Sequence, residues 1–215
     1  MYAPHKPVTY LITSGQTTAA TTSESKEFLN LLELIAAAVA AGIDLVQVRE
    51  KSLTTKVLYE LVTSAAGITR DGATRLLVND RADVAASAGG DGVHLTTHSL
   101  PISVVRQAFG DDFLIGVSTH SLVEAQSAQA ANADFAVFGP VFQTPSKEQF
   151  GAPVGIEELK HVCSELTPFP VLAIGGVTEE NFSECLGGGA YGLAGIRMFS
   201  DQLRLSTIVE KIHEG

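Results

Sequence analysis

Eight short runs of apolar and β-branched residues punctuate this chain, and a segment of helical period follows nearly every one. The runs cover residues 8–13, 45–49, 76–79, 92–95, 114–118, 135–138, 171–174 and 192–196. Their near-continuous hydrophobicity predicts strands buried on both faces, the pattern of a parallel sheet. Between the first two, Phe28, Leu31, Leu32, Ile35 and Val39 recur at a spacing that lines one face of a helix. Further helices are predicted over 57–66, 82–87, 102–109, 122–131, 156–166, 179–186 and 203–212. Cap signals mark two of the starts, Ser121-Leu122-Val123-Glu124 and Thr178-Glu179-Glu180. The weakest elements are the third helix and the fourth strand. Strand and helix in eightfold alternation predict a single (β/α)8 TIM barrel spanning 1–215; a doubly wound open sheet is the alternative. The 215 residues suffice for one sizeable core and are few for two. Residues 14–25, rich in Thr and Ser, predict a long flexible loop.

Charge narrows the ligand classes. The formal net charge is −10, which leaves no basic footprint for nucleic acid or anionic lipid. An acidic chain that binds anions does so locally, with a few cations and backbone amides. Cys163 and Cys185 lie in helix-like segments without a CxxC partner, so reduced, structural thiols are expected. The N-terminal stretch lacks the apolar run of a signal peptide, and no run approaches a membrane span. A cytoplasmic location is expected, and exposed barrel helices rich in Ala and Leu suit a homodimer.

In a barrel, chemistry sits where strands end and βα loops begin. At those places the sequence puts Gln47, Arg49, Glu50 and Lys51; Asn79, Asp80 and Arg81; Ser118, Thr119 and His120; then GPVFQTPSKEQFG, Gly175-Gly176 and Gly195-Ile196-Arg197. Strand interiors are nearly bare of charge. Loops seven and eight commonly build a phosphate site from backbone N–H groups. Gly175-Gly176 lets backbone approach an anion closely, and Arg197 can add a charge-assisted contact. The plainer alternative is two tight turns and a surface arginine. Thr144, Ser146 and Lys147 place two hydroxyls and a cation in one loop, suited to folding over a diphosphate or simply to solvent. Period-two alternation puts Gln47 and Arg49 on one strand face, and burying both demands an anion or polar heterocycle unless the strand ends early. Asn79 and Asp80 fit either a hard-cation site or an Asx turn.

Taken in order, VQVREK, LVNDR, GGDGVHL, IGVSTHS, FGPVFQTPSK, AIGGV and Gly192-Leu193-Ala194-Gly195-Ile196-Arg197 resemble the thiamine-phosphate synthase and thiazole tautomerase superfamily over essentially the whole chain. The resemblance implies a transferase of thiamine biosynthesis that joins hydroxymethylpyrimidine diphosphate to a thiazole phosphate and releases pyrophosphate. It further implies that the diphosphate ionises and that the thiazole nitrogen captures the pyrimidine methyl cation. Arg49, Lys51 and Lys147 would stabilise the leaving charge, and Asn79 would hold the diphosphate. Gln47 would orient the pyrimidine, with Ser118 near the reacting centre. Thr144, Ser146, Gly175 and Gly176 would grip the thiazole phosphate, with Ile196 and Arg197 beside them.

Two departures from the family pattern stand out. The synthases hold Mg²⁺ with two aspartates; the first is Asp80, but Ser99 stands where the second belongs. Mg²⁺ would then rest on Asp80, substrate phosphate oxygens and water, a weakened site. Asp91 falls too early to substitute, and His98 is a poor Mg²⁺ ligand. In the last loop, Arg197 replaces a small hydroxyl residue. Loss of a carboxylate points toward the metal-independent tautomerase branch, where His120 would move a proton on a thiazole carboxylate phosphate. Retention of Gln47, Lys51, Asn79, Asp80 and Lys147 favours the synthase. A non-catalytic binder of phosphorylated precursors is the third reading. Of the other histidines, His5, His161 and His213 are expected at the surface and His94 inside or behind the barrel. Glu179, Glu180 and Glu184 are expected on a solvated helix face.

Overall fold

The computed structural model describes residues 7–144 and 152–214. Eight strands, β1 (Val8–Ile12), β2 (Leu45–Val48), β3 (Arg75–Asn79), β4 (Gly92–Leu95), β5 (Leu114–Thr119), β6 (Phe135–Phe138), β7 (Val171–Ile174) and β8 (Gly192–Gly195), close into one ring. All pairs are parallel, and β1 completes the circle against β8, with Val8 opposite Gly192. The helices are α1 (Lys26–Ala41), α2 (Thr55–Thr69), α3 (Ala82–Ala88), α4 (Ile102–Phe109), α5 (Leu122–Ala130), α6 (Ile156–Leu166), α7 (Phe182–Gly187) and α8 (Leu205–Glu214). The predicted (β/α)8 barrel is therefore the observed architecture. No helix among the described residues is long and apolar enough to cross a membrane.

Alternation along each strand makes two cores. One set of side chains, among them Leu11, Val46, Leu76 and Val78, faces outward onto helix residues such as Phe28, Ile35, Leu61 and Val62. The other set fills the ring: Val8, Tyr10, Ile12, Leu45, Leu77, Phe135, Val137, Leu172 and Ala194. Filling it with Tyr10 and Phe135 requires small residues opposite. A Cβ on Gly116 would stand 2.4 Å from the Phe135 ring, so that position has room for hydrogen alone.

Several expectations need correction. Residues 14–25 form a loop, but an anchored one: the buried Glu50 carboxylate accepts from Gly15 N (3.0 Å), Thr17 N (3.2 Å) and Thr17 Oγ1 (2.7 Å). The seventh helix begins at Phe182 and not at Glu179, because Asn181 Oδ1 accepts from Thr178 N and turns the chain first. Glu179 is not a free surface acid; it pairs with Arg204 at 2.7 Å. His213 is half-buried, 3.6 Å from Asp44, where the sequence suggested solvent. Ser121 does cap α5, accepting from Glu124 N. Both cysteines are free, and burial pushes the Cys163 thiol up to about 11 and Cys185 up to about 12, as inert thiols require.

Candidate active site

All eight strands end on one face of the ring, and the inward parity of each strand decides what reaches that mouth. Gln47 follows Leu45 and Asn79 follows Leu77 at two-residue steps, so these side chains stand above the barrel filling. Gln47 is buried, and Asn79 nearly so. The sequence required a partner for a buried Gln47 and suggested a ligand. Part of that demand is met within the protein, because Gln47 Nε2 donates to the Tyr10 hydroxyl at 2.7 Å. Arg49, two residues further along, is half-buried, with its backbone N–H donating to Thr13 Oγ1 at 2.8 Å. Lys51 is exposed on the rim.

At the β3 corner, Asp80 takes a left-handed conformation (φ 59°), tolerated by Asp more readily than by most residues. This turn aims its carboxylate at the loop that follows β4. Asn79 Nδ2 donates to Asp80 Oδ2 at 2.8 Å, while Ser99 and Thr96 hydroxyls donate to Oδ1, the latter at 3.5 Å. Asp80, Ser99 and Thr96 thus form an all-oxygen set with one negative charge. Among the described residues no group of three or more His, Cys, Asp or Glu could hold a metal. The set nevertheless fits Mg²⁺ in the form Mg²⁺ often takes, one carboxylate completed by substrate phosphate and water. Asp91 lies at the opposite end of β4, bound to Arg75 and to Leu76 N. His98 is exposed. Arg81 points away, forked onto Asp83 at 2.7 and 2.8 Å; that guanidinium holds the Asp83 carboxyl below its usual range.

Across the mouth, the loops after β6, β7 and β8 enclose a cavity of about 660 Å³. Thr144, Gly175, Gly176, Ile196 and Arg197 all line it, which unites five of the sequence candidates. Gly175 and Gly176 have φ of 94° and 67°, and a Cβ there would meet Pro140 at 2.4 Å and the Gln143 carbonyl oxygen at 2.6 Å. Only glycine suits either place. Arg197 reaches over the cavity to Thr144 Oγ1 at 3.0 Å. A guanidinium, a hydroxyl and a glycine backbone around one hollow are donors of the kind that can cradle an anion. Arg49 adjoins it: its Nη1 lies 3.5 Å from where a Gly15 Cβ would sit, next to Ser14 of the cavity wall. Ser146 and Lys147 lie outside the described residues.

His120 opens the β5 loop and is exposed. Its Nδ1 meets the Gly139 carbonyl oxygen, and its backbone N–H donates to Glu124 at 2.6 Å. A carbonyl oxygen only accepts, so Nδ1 carries a proton in that contact and Nε2 is the ring nitrogen turned away from it. Ser118 stays half-buried, 2.9 Å from His94 Nε2.

Sequence reasoning missed Tyr10 and gave His94 no role beyond filling. Tyr10 and His94 are both buried inside the ring, hydroxyl to Nδ1, at 3.3 Å. Burial pushes the His94 imidazole down to about 4, with nearby Asp80 opposing and Arg49 assisting, and it raises the Tyr10 phenol well above its ordinary value. The available signal was parity: Tyr10 lies between Val8 and Ile12 on the inward face of β1.

The model of the thiamine monophosphate synthase family matches residues 10–199. The chain is 45% identical over 165 residues to a relative from Geobacter sulfurreducens, covering 77% of each protein. It is 37% identical over 172 residues to the thiamine-phosphate synthase of Clostridium novyi, covering 79% of this chain and 84% of that one. Among solved structures it superposes on thiamine phosphate pyrophosphorylase from Pyrococcus furiosus with a TM-score of 0.78, at 29% identity, over 95% of this chain and 96% of that one. Matched by the family model over residues 10–199 and by a relative at 37% identity over most of both chains, this chain belongs to the thiamine monophosphate synthase family.

Proposed function

We propose that this chain joins a pyrimidine methyl diphosphate to a thiazole phosphate and releases pyrophosphate. What supports this reading is that donor types suited to anions gather at two places on one mouth, the loops after β7 and β8 and the β3 corner. Arg197, Thr144 and the Gly175-Gly176 backbone offer one phosphate a cradle with Arg49 adjoining it, while Asn79 and Asp80 stand at the β3 corner of the same mouth. In the reaction, the bond between the pyrimidine methylene and the diphosphate oxygen breaks, with its electron pair going to the oxygen. The thiazole nitrogen then supplies the pair for the new C–N bond. Arg49, with Lys51 on the rim and Lys147 from the loop after β6, balances charge on the departing group. Gln47 orients the pyrimidine and Ser118 faces the reacting centre. Gly175, Gly176, Thr144, Ser146, Ile196 and Arg197 hold the thiazole phosphate.

Mg²⁺ would be held by Asp80 with the hydroxyls of Ser99 and Thr96 nearby. When bound, it would neutralise charge on the diphosphate oxygens. A homodimer belongs to the same reading; light scattering in solution decides it.

The test is pyrophosphate release by purified protein given both phosphorylated substrates and Mg²⁺. Release that requires both substrates supports the reading; its absence at millimolar Mg²⁺, with both substrates bound, ends it. One observation favours a second reading: His120 Nδ1 meets the Gly139 carbonyl oxygen, which leaves Nε2 for proton transfer, and the Asp80 corner has a single carboxylate. A metal-independent tautomerase would aromatise a thiazole carboxylate phosphate in EDTA, and His120→Ala would abolish it. Binding of both ligands with neither reaction would leave a non-catalytic binder.

A further inference from the structure

Four polar side chains form a single file through the barrel, ending at the mouth. Gln47 Nε2 donates to the Tyr10 hydroxyl (2.7 Å), that hydroxyl meets His94 Nδ1 (3.3 Å), and His94 Nε2 meets Ser118 Oγ (2.9 Å). The donors and acceptors have one consistent order. Tyr10, having accepted from the amide, keeps its own proton for Nδ1. An imidazole that accepts at Nδ1 carries its proton at Nε2 and donates it to Ser118. Ser118 therefore takes a hydrogen bond from inside and retains its O–H for whatever lies above it.

The file is held rigidly. The Phe135 ring meets Tyr10 edge-on at 5.7 Å between centroids, and it lies 6.4 Å from the His94 ring. A Cβ on Gly116 would come within 3.0 Å of His94 Nδ1, so the imidazole occupies space that only glycine leaves open. Reversed, the same chain would turn the Ser118 proton inward and present lone pairs to an anion, which would repel it.

We propose that Tyr10 and His94 are positioning residues that fix the Ser118 hydroxyl as a hydrogen-bond donor toward the anionic leaving group. The identity of that group rests on the transferase reading above. No proton moves in this step. As the C–O bond breaks and its electron pair settles on diphosphate oxygen, the pre-aimed O–H gains strength without reorganising.

The direction of the chain can be read without substrate. Nitrogen-15 NMR of histidine-labelled protein should show His94 as the Nε2–H tautomer, lost or mixed in Tyr10→Phe. An Nδ1–H tautomer in the wild type overturns the proposal. In kinetics, Ser118→Ala and His94→Asn should each lower kcat about tenfold, the worth of one hydrogen bond to a charged group, with both KM values little changed. The double variant should be no slower than Ser118→Ala, and His94→Gln, whose amide can set an N–H near the Nε2 place, should recover most of the rate. Losses that multiply in the double variant overturn it equally. An Nε2–H tautomer in a protein without turnover sinks the transferase reading and leaves the oriented serine; turnover with Nδ1–H does the reverse.

Discussion

Ser99 donates its hydroxyl to the Asp80 carboxylate across the loops that follow β3 and β4. The side chain standing where the resemblance leads one to expect a second acid is thus already in contact with the first. Ser99→Asp would set two carboxylates together. It should lower the melting temperature in EDTA and tighten Mg²⁺ on the order of tenfold, because like charges repel until a cation joins them. Melting curves with and without Mg²⁺ check both; a variant indifferent to Mg²⁺ would remove Asp80 as its ligand.

Arg197 bonds across the cavity to Thr144. Arg197→Ala should raise the KM for the phosphate that sits there about tenfold, the worth of a charge-assisted hydrogen bond at a partly exposed site, and change kcat less. Competition by inorganic phosphate should weaken in parallel. A KM that stays put would place the anion elsewhere.

Glu50 accepts three hydrogen bonds from the loop after β1. Glu50→Ala would leave those donors without their acceptor and cost about 3 kcal/mol, as loss of a buried charged partner does. Amide exchange at Gly15 and Thr17 should accelerate more than in the helices. Uniform acceleration would mean the loop has other anchors.

His94 gives a pH signature. Its folded-state value of about 4 lies below the unfolded 6.5, so folding favours the neutral ring. The resulting stability is fully present above pH 6.5 and drains away as pH falls toward 4, because only the unfolded chain takes up the proton. The loss amounts to about 3 kcal/mol. Denaturant titrations across that window should show the slope in the wild type and a shallower one in His94→Gln.

Much of this was legible in one dimension. Period-two alternation put Gln47 and Arg49 on one strand face, and an apolar run bounded by glycine placed β7 and the Gly175-Gly176 turn after it. The partners of those side chains were not legible. Gln47 meets Tyr10 from 37 residues earlier, and Tyr10 meets His94 84 residues later. Which inward positions share a layer depends on the ring's stagger, which no linear pattern carries. The Thr and Ser of residues 14–25 read as slack chain because the acid that ties them down comes from the end of the next strand. The α7 start misled for a local reason: Thr178 looks like a cap, yet Asn181 closes a turn first. Ser99 could be seen as a missing carboxylate, but its touch on Asp80 depends on a backbone turn at φ 59°.

The join between β1 and β8 runs beneath the cradle: Ser14 enters the cavity wall from one side and Ala194, Gly195 and Arg197 from the other. Head and tail of the chain must meet before that hollow exists at all. A phosphorylated ligand seated there acts as a rivet across the seam, holding only the finished ring. It should therefore raise the melting temperature of the barrel with the logarithm of its own concentration.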